Sequence, residues 1–202
     1  MKKNKAIILP LIGEDFLILK KEDKRMEYKE VIAEVENMFR VIPLQVFRKT
    51  EGVVFDLVNM DYLPEVDGID RVIHAENALS PGTIGEVERP WYMHPHQEDN
   101  LLVLYGTRHV DLFTPEHGKI ESFEINPHSI KRNGSLIYDG GVILSTSVNV
   151  FHRIKTGEEG SASINFAVRH PKFDMKTNFN IYKLDTNTDN YEVIRKGFKD
   201  QD

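Results

Sequence analysis

Two histidines separated by one residue, His94 and His96, are the part of the sequence best suited to chemistry. In an extended strand, residues i and i+2 point to the same face, so the two imidazoles are expected to lie side by side. The carboxylates Glu98 and Asp99 follow within a few residues. Because imidazole pairs with a nearby carboxylate are the ligand set that borderline divalent metals prefer, this segment predicts a metal site.

The composition restricts the class of protein and its partners. The 202 residues have a net charge of −6 and no dense basic block beyond the lysines at 2–5, so nucleic acid is not expected as a partner. There is no cysteine, which excludes disulfides, thiolate catalysis and Cys-ligated zinc and fits a reducing cytoplasm. The apolar run 6–12 is too short for a membrane span and lacks a cleavage site, so neither a signal peptide nor membrane binding is expected.

Residues 1–45 are predicted to form a strand–helix segment. Two short strands are expected at 6–11 and 15–20, followed by a helix at 23–40 that Asp23 can cap. The helix prediction depends on one apolar stripe at helical period, which consists of Tyr28, Val31, Ile32, Val35, Met38 and Phe39. Such a stripe is typical of a helix packed on a sheet.

From residue 46 to 195 the sequence consists of short strand patterns separated by turns that contain Gly, Asn or Asp. Many short strands at this spacing favour an all-β sandwich or barrel. No repeat or linker divides this stretch, so one β domain is expected, with residues 1–45 packed on it. Residues 196–202 are predicted to be a loose tail.

Two spaced motifs resemble those of the cupin superfamily. The second cupin motif runs Gly, five residues, Pro, one residue, Gly, two residues, His, three residues, Asn, and its spacing is kept in full by Gly141, Ser147, Asn149, His152 and Thr156. Three of these residues differ in type from the motif. Asn149 in place of glycine is the mildest change, because Asn tolerates the left-handed backbone conformation better than most residues.

The first cupin motif is matched by His94, His96 and Gly106. Its leading glycine is missing at the usual distance. Its acid is displaced as well: counting back from Gly106 places Asp99 there, whereas counting forward from His96 places Asn100 or Leu101 there.

The resemblance implies a mainly β fold, a cupin-type double-stranded β-helix (an RmlC-like jelly-roll barrel), with one N-terminal helix. It also implies a ligand set of His94, His96 and His152, with Glu98 or Asp99 as the carboxylate. Such a set suits Fe, Mn or Ni with open positions, or Zn at lower coordination number.

Several residues near the motifs are candidates for substrate binding. Trp91, Tyr92 and Tyr105 lie next to the histidines in sequence and could form aromatic walls of a pocket, with Trp91 and Tyr105 selected as candidates. His170 shares its strand face with three apolar residues and is expected to point inward. Four further basic residues could bind an anionic substrate, but each is expected to be a solvated strand residue: Arg108, His109, Lys155 and Arg169.

Three functions remain open at this point. The first is a metal-dependent cupin enzyme, an oxygenase or isomerase, acting on a small organic or sugar-like molecule. The second is a non-catalytic module that binds a sugar or metabolite. The third is a metal-free sugar epimerase of cupin fold, against which the absence of tyrosine from residues 161–170 counts. Whether the protein is an enzyme is left undecided, because the superfamily includes both kinds.

A homodimer is also predicted. Residues 101–104 are apolar at consecutive positions, so both faces of this strand must be covered. One face can meet the core, and the other needs the N-terminal strands or a second subunit.

Overall fold

The computed structural model describes residues 29–63 and 65–201. Within them a short helix, α1 (Met175–Asn178), and two 3-10 turns, Met60–Tyr62 and Gly197–Asp200, accompany fifteen strands. The strands are β1 (Ala33–Val35), β2 (Phe39–Pro43), β3 (Gln45–Thr50), β4 (Val53–Leu57), β5 (Gly68–His74), β6 (Leu79–Ser80), β7 (Trp91–Met93), β8 (Gln97–Phe113), β9 (Glu121–Asn126), β10 (Ser129–Arg132), β11 (Ser135–Asp139), β12 (Val142–Thr146), β13 (Phe151–Arg169), β14 (Ile181–Leu184) and β15 (Tyr191–Arg195). The prediction of a mainly β fold is confirmed.

Thirteen of these strands form one antiparallel sheet, in which β8 and β13 are central. The main order is β1-β2-β12-β8-β13-β7-β14-β15, and β5 and β6 also pair with β13. Strand β9 pairs with β8 and with β10, which continues to β11. Strands β8 and β13 pair from Phe113↔Phe151 to Gln97↔Arg169, so their register positions most of the sheet.

Two glycines permit this long pairing at its central irregularity. The register of β13 against β8 shifts between Thr156 and Ser161, next to Gly106 and Gly160. Both glycines have positive φ, +70° and +72°, and a Cβ on Gly106 would lie 2.0 Å from the carbonyl oxygen of Gly160. Only a residue without a side chain fits such a close approach of two backbones.

The predicted helix at 23–40 is wrong over its described part. Strands β1 and β2 form an antiparallel hairpin with Val35 opposite Phe39, and the turn between them contains Asn37 at φ +57°. Met38 and Phe39 are buried, and β2 continues by pairing with β12. The β-branched residues of this segment suit a pleated sheet, and pairing with β12 outweighs the helical periodicity. Residues 1–28, with the predicted strands at 6–11 and 15–20, lie outside the described residues.

The main core lies on the sheet around β8, β9, β12 and β13. Its buried members include Phe39, Val103, Leu112, Ile125 and Leu144. A second cluster joins Trp91 of β7 with Phe113, Phe151 and Tyr182. Among the described residues no helix is long and apolar enough to cross a membrane.

The argument for a homodimer from residues 101–104 is only partly supported. Leu101 and Val103 are buried, and Leu102 packs against the cluster of Ile42, Leu63 and Ile143, whereas Leu104 is half exposed. The larger apolar surface lies elsewhere. Strands β3 and β4 pair only with each other among the described strands, and they expose Val46, Phe47, Val53, Val54 and Phe55. An isolated two-stranded hairpin is marginally stable, so this one is expected to need a covering partner.

The homodimer therefore stays a prediction, now centred on the β3–β4 hairpin. Light scattering at micromolar concentration is expected to give twice the chain mass of 23.3 kDa. The double variant Phe47→Ser/Phe55→Ser should shift the mass towards one chain, while Leu136→Ser, which alters an exposed residue of β11, serves as the control. A wild-type mass of one chain would contradict the prediction.

A second prediction concerns Gly106. Gly106→Ala should reduce the free energy of unfolding by at least about 2 kcal/mol more than Gly134→Ala, because it combines positive φ with a backbone clash. Gly134 is the matched control: its φ is +82° and nothing lies within 4 Å of an added Cβ. Urea denaturation measures both variants, and equal losses would show that the close approach to Gly160 is not a constraint.

Candidate functional site

The structure brings His94, Asp99 and His152 together. His94 directly follows β7, Asp99 lies on β8 and His152 lies on β13, opposite Tyr92 of β7. One ligand atom of each residue lies within 4.8 Å of the others. The two motif segments are also joined by their backbones, since the Asn149 N–H donates to the His94 carbonyl at 2.9 Å. Asn149 has φ +61°, the left-handed conformation expected for this motif position.

The ring of His94 is oriented by a backbone carbonyl. Its Nδ1 lies 2.6 Å from the oxygen of Asn178, the last residue of α1. Because a carbonyl only accepts, Nδ1 carries the proton of this hydrogen bond. The other nitrogen, Nε2, faces Asp99 Oδ2 at 3.2 Å. The side chain is buried, and its ring packs edge-on against Phe179.

His152 is oriented in the same way. Its Nδ1 lies 3.2 Å from the carbonyl oxygen of Val150, which again assigns the proton to Nδ1. The rings of His94 and His152 are 4.7 Å apart in an edge-to-face arrangement. A ring that donates from Nδ1 to a fixed carbonyl presents Nε2 as an acceptor or ligand, which is the usual arrangement around protein-bound metals.

Asp99 is held by two side-chain amides. Its Oδ1 accepts from Gln97 Nε2 and from Asn165 Nδ2, both at 2.8 Å. These bonds fix the carboxylate plane and leave Oδ2 directed at His94. Each member of the cluster therefore has one atom engaged by the scaffold and one atom turned towards the other members.

The three groups set one another's charge. Burial lowers the pKa of His94, but the charge and hydrogen bond of Asp99 outweigh it, so the pKa of His94 is raised. Burial alone would raise the pKa of Asp99, and the neighbouring His94 brings it well below its usual range. Burial, with the charge of His94, lowers the pKa of His152 to about 4. In the metal-free protein, Asp99 is therefore a carboxylate whose charge favours the protonated form of His94, and His152 is a neutral imidazole at neutral pH.

Two predicted ligands are not in this cluster. His94, Pro95 and His96 lie in the bend between β7 and β8 rather than in an extended strand, so the expectation that both rings share a face is wrong. His96 contributes a backbone carbonyl, which accepts from the His170 N–H at 2.9 Å. Glu98 precedes Asp99 in β8 and points to the opposite face, where it accepts from His170 Nε2 at 2.8 Å. The ligand roles of the remaining three residues stay a prediction.

A cavity of about 280 Å³ adjoins the cluster. Its middle is lined by apolar side chains, among them Val72, Leu101, Val110 and Ile154. Three residues predicted to bind substrate are not among those that line it: Trp91 is buried under Arg153, Tyr105 is exposed, and His170 pairs with Glu98. Of the three aromatic residues considered for the pocket wall, Tyr92 alone lines the cavity, because alternate residues of β7 face opposite sides.

Two polar residues at this cavity differ from the sequence-based expectation. Arg108, expected to be solvated, is only 1% exposed, and His74, which had no predicted role, accepts a hydrogen bond from it at 2.7 Å. The sequence feature that could have identified Arg108 as an inward residue is its alternation with Val110 and Leu112. Residues at this spacing share one face of a strand, and all three line the cavity from β8. For His74 the sequence offers no comparable signal.

Comparison with known proteins gives a likeness in fold. No family model and no curated protein matches the chain. Among solved structures, the chain is similar to the WlaRB TDP-quinovose 3,4-ketoisomerase from Campylobacter jejuni, at 15% identity and a TM-score of 0.47, over 69% of this chain and 89% of that one. QdtA, a sugar 3,4-ketoisomerase from Thermoanaerobacterium thermosaccharolyticum in complex with TDP, matches at 14% identity and a TM-score of 0.47, over 70% of this chain and 85% of that one.

A 3,4-ketoisomerase from Helicobacter canadensis is similar at 12% identity and a TM-score of 0.40, over 67% of this chain and 85% of that one. The structure itself shows a mainly β fold, and membership of the RmlC-like cupins stays a prediction.

The histidine beside Arg108 gives a testable pH dependence. Burial, with the Arg108 charge, lowers the pKa of His74 from 6.5 to about 4. Below pH 6.5 the unfolded chain takes up a proton here that the folded protein does not bind, so the free energy of unfolding falls as the pH falls towards 4.

The slope of the free energy of unfolding against pH measures how many more protons the unfolded chain binds than the folded protein. His74→Gln should reduce this number by about one between pH 6.5 and 4. Urea denaturation at a series of pH values measures the slope, and measurements above neutral pH give the pH-independent cost of the substitution. A slope identical to that of the wild type would contradict the assignment of a buried neutral imidazole.

Proposed function

We propose that the protein is a metal-dependent enzyme of cupin fold, in which the sheet closes as a jelly-roll barrel around the cavity. In this proposal His94, His152 and Asp99 hold a divalent transition metal (Fe, Mn, Ni or Zn), and a small organic molecule binds in the adjoining cavity. One observation carries the proposal. The scaffold engages Nδ1 of both histidines and Oδ1 of Asp99, while the three residues each offer a ligand atom within 4.8 Å of the others.

The donor set fits such an ion. Two neutral imidazoles and one carboxylate form the facial set that leaves several coordination positions open. With His96 and Glu98 directed elsewhere, the site has this composition rather than the three histidines implied by the cupin resemblance. When bound, the metal would supply Lewis-acid polarisation of a substrate oxygen or, for a redox-active ion, electron-transfer chemistry.

Other side chains of the protein orient the candidate ligands, cover His94 and supply a proton donor. Gln97 and Asn165 fix the carboxylate, and Phe179 covers His94 on one side. The Tyr92 ring lies 5.9 Å from that of His152, and burial raises the pKa of its hydroxyl. Tyr92 therefore remains protonated at neutral pH and can donate a hydrogen bond or a proton to a substrate in the cavity.

A metal-free isomerase is the second candidate. The contact of 3.2 Å between His94 Nε2 and Asp99 Oδ2 favours it, because an imidazolium can donate to the carboxylate without any ion. Neutral His152 could then take a proton from one carbon of a keto sugar and return it to the neighbouring carbon, while Tyr92 passes a proton from the hydroxyl oxygen to the former carbonyl oxygen; isomerisation of a keto sugar is the type of reaction named for the similar solved structures. Tyr92 would supply the phenol that the strand at 161–170 lacks.

Metal content separates the two candidates. Purified protein, incubated in turn with each of the four ions and freed of excess, is expected to retain about one equivalent of at least one ion by elemental analysis. His152→Ala and Asp99→Asn should each weaken binding by at least about tenfold, since each removes a donor. A folded wild-type protein that retains none of the ions would contradict the metal proposal and favour the metal-free isomerase.

The chain offers matched controls for both variants. His96→Ala removes an imidazole two residues from His94 and should leave metal binding unchanged. Glu98→Gln neutralises the carboxylate next to Asp99 and should also have no effect, because Glu98 faces His170. Loss of metal in either control would mean that the bend at Pro95 rearranges on binding and that the cupin-like ligand set is correct.

A further inference from the structure

The cavity holds a buried cation at the end away from the metal-ligand candidates. Arg108 is 1% exposed and lines the cavity together with His74. A guanidinium cannot lose its charge at neutral pH in this site, because burial lowers its pKa only to about 10. Arginine is rarely buried to this extent without a charged partner, so the surroundings of Arg108 need an explanation.

Among the described residues, every hydrogen-bond partner of Arg108 is neutral. Its Nε donates to Ser161 Oγ at 2.9 Å, and Nη2 donates to the Val72 carbonyl at 3.1 Å and to His74 Nδ1 at 2.7 Å. Among the described residues no carboxylate lies within ion-pair distance of Arg108. Its Nη1, with two N–H groups, makes no hydrogen bond to the part of the chain that the structure describes.

The state of His74 agrees with an unbalanced positive charge beside it. A guanidinium has no acceptor, so Nδ1 of His74 is the acceptor of their hydrogen bond and the ring proton lies on Nε2. A neutral imidazole therefore supports Arg108 without compensating its charge. The pKa of His74, lowered to about 4, keeps the ring neutral at physiological pH.

The two carboxylates that line the cavity lie at its other end. Asp99 and Asp70 both contact Asn165 Nδ2, at 2.8 and 3.4 Å. Asp70 and His74 are four residues apart on β5, which corresponds to about 13 Å along a strand. Asp70 is nearer to Val72, whose carbonyl also accepts from Arg108, at about 7 Å along the strand, but Asp70 forms no ion pair with Arg108.

The register of β8 and β13 gives the same separation. Arg108 lies opposite Thr156, and Leu112 lies opposite His152, so four residues separate the two levels. At the usual rise this is about 13 Å, and Val110 and Ile154 form the apolar stretch between them. The cavity is thus polar at two ends and apolar in the middle.

We propose that Arg108 binds an anionic oxygen group of the substrate, and that the substrate is a small organic acid. Its carboxylate would bind Nη1 of Arg108, its apolar body would fill the middle of the cavity, and its reacting end would lie at His94, Asp99 and His152. Only the placement of the reacting end at His94, Asp99 and His152 rests on the proposed function. Arg108 is the only Lys or Arg among the lining residues, so one positive charge favours a monoanionic carboxylate over a phosphate dianion.

The test uses pyruvate, 2-oxoisovalerate and benzoate, each beside its neutral methyl ester, with inorganic phosphate as a further anion. Isothermal titration and thermal unfolding at constant ionic strength measure binding to the full chain. At least one acid should bind the wild type at least tenfold more tightly than its ester and than phosphate. If no acid binds better than its ester, or if phosphate binds best, the proposal is overturned.

Variants assign the binding to Arg108. Arg108→Met should lower the affinity for the acid at least tenfold, and Arg108→Gln provides a second variant if the first does not fold. Arg71→Met is the matched control, since Arg71 lies on the exposed face of β5, next to Val72. Equal affinity in wild type and in the Arg108 variants would overturn the proposal.

The same titration on chelator-treated protein separates this proposal from the metal site. Arg108-dependent binding should persist without metal, because Nη1 and not an ion binds the carboxylate. The Arg108 variants should retain the metal content of the wild type. Binding that disappears on chelation, in both wild type and Arg71→Met, would assign the carboxylate to the metal and overturn the role of Arg108.

Discussion

The antiparallel pairing of β8 with β13 is the constraint on which the rest of the structure depends. These strands of 17 and 19 residues fix the levels of Asp99, Arg108 and His152 relative to one another. The pairing tolerates a register shift where Gly106 and Gly160 approach each other, so the two halves of each strand keep one inward face. A slip of one residue would turn every inward side chain outward.

The polar side chains of His94, His152 and Asp99 are each held by hydrogen bonds to neutral groups. The carbonyls of Asn178 and Val150 accept from the two histidines, and Gln97 and Asn165 donate to Asp99. Leaving such groups unpaired would cost about 1–3 kcal/mol each. Preorganisation of this kind also means that ligand atoms need not be reoriented when an ion or substrate binds.

Sequence patterns predicted the β class, Asp99 as a possible acid, and the meeting of His94 with His152. The β class is confirmed, and the structure places His94, Asp99 and His152 together, while their ligand roles stay a prediction. Their meeting follows from motif spacing, which reflects strand register, and Asn149 adopts the positive φ that its motif position requires. Other predictions failed where a local rule was overridden. Pro95 places His94 and His96 in a bend, so strand alternation does not apply to them. Val35 and Phe39, two residues of the apolar stripe that predicted a helix, face each other in the β1–β2 hairpin instead, and β2 pairs with β12.

The charged side chains that line the cavity are unevenly distributed, with carboxyl groups at one end and Arg108 at the other. At one end, the carboxyl groups of Asp70 and Asp99 lie beside the candidate histidine ligands, an arrangement that suits a divalent cation. At the other end, Arg108 has only neutral partners. With a divalent ion bound by neutral imidazoles, the two carboxylates would balance its charge, and the charge of Arg108 would remain for an anionic substrate to balance. In the proposed function the guanidinium and the ligand atoms would therefore be complementary parts of one binding site, separated by the apolar side chains of Val110 and Ile154.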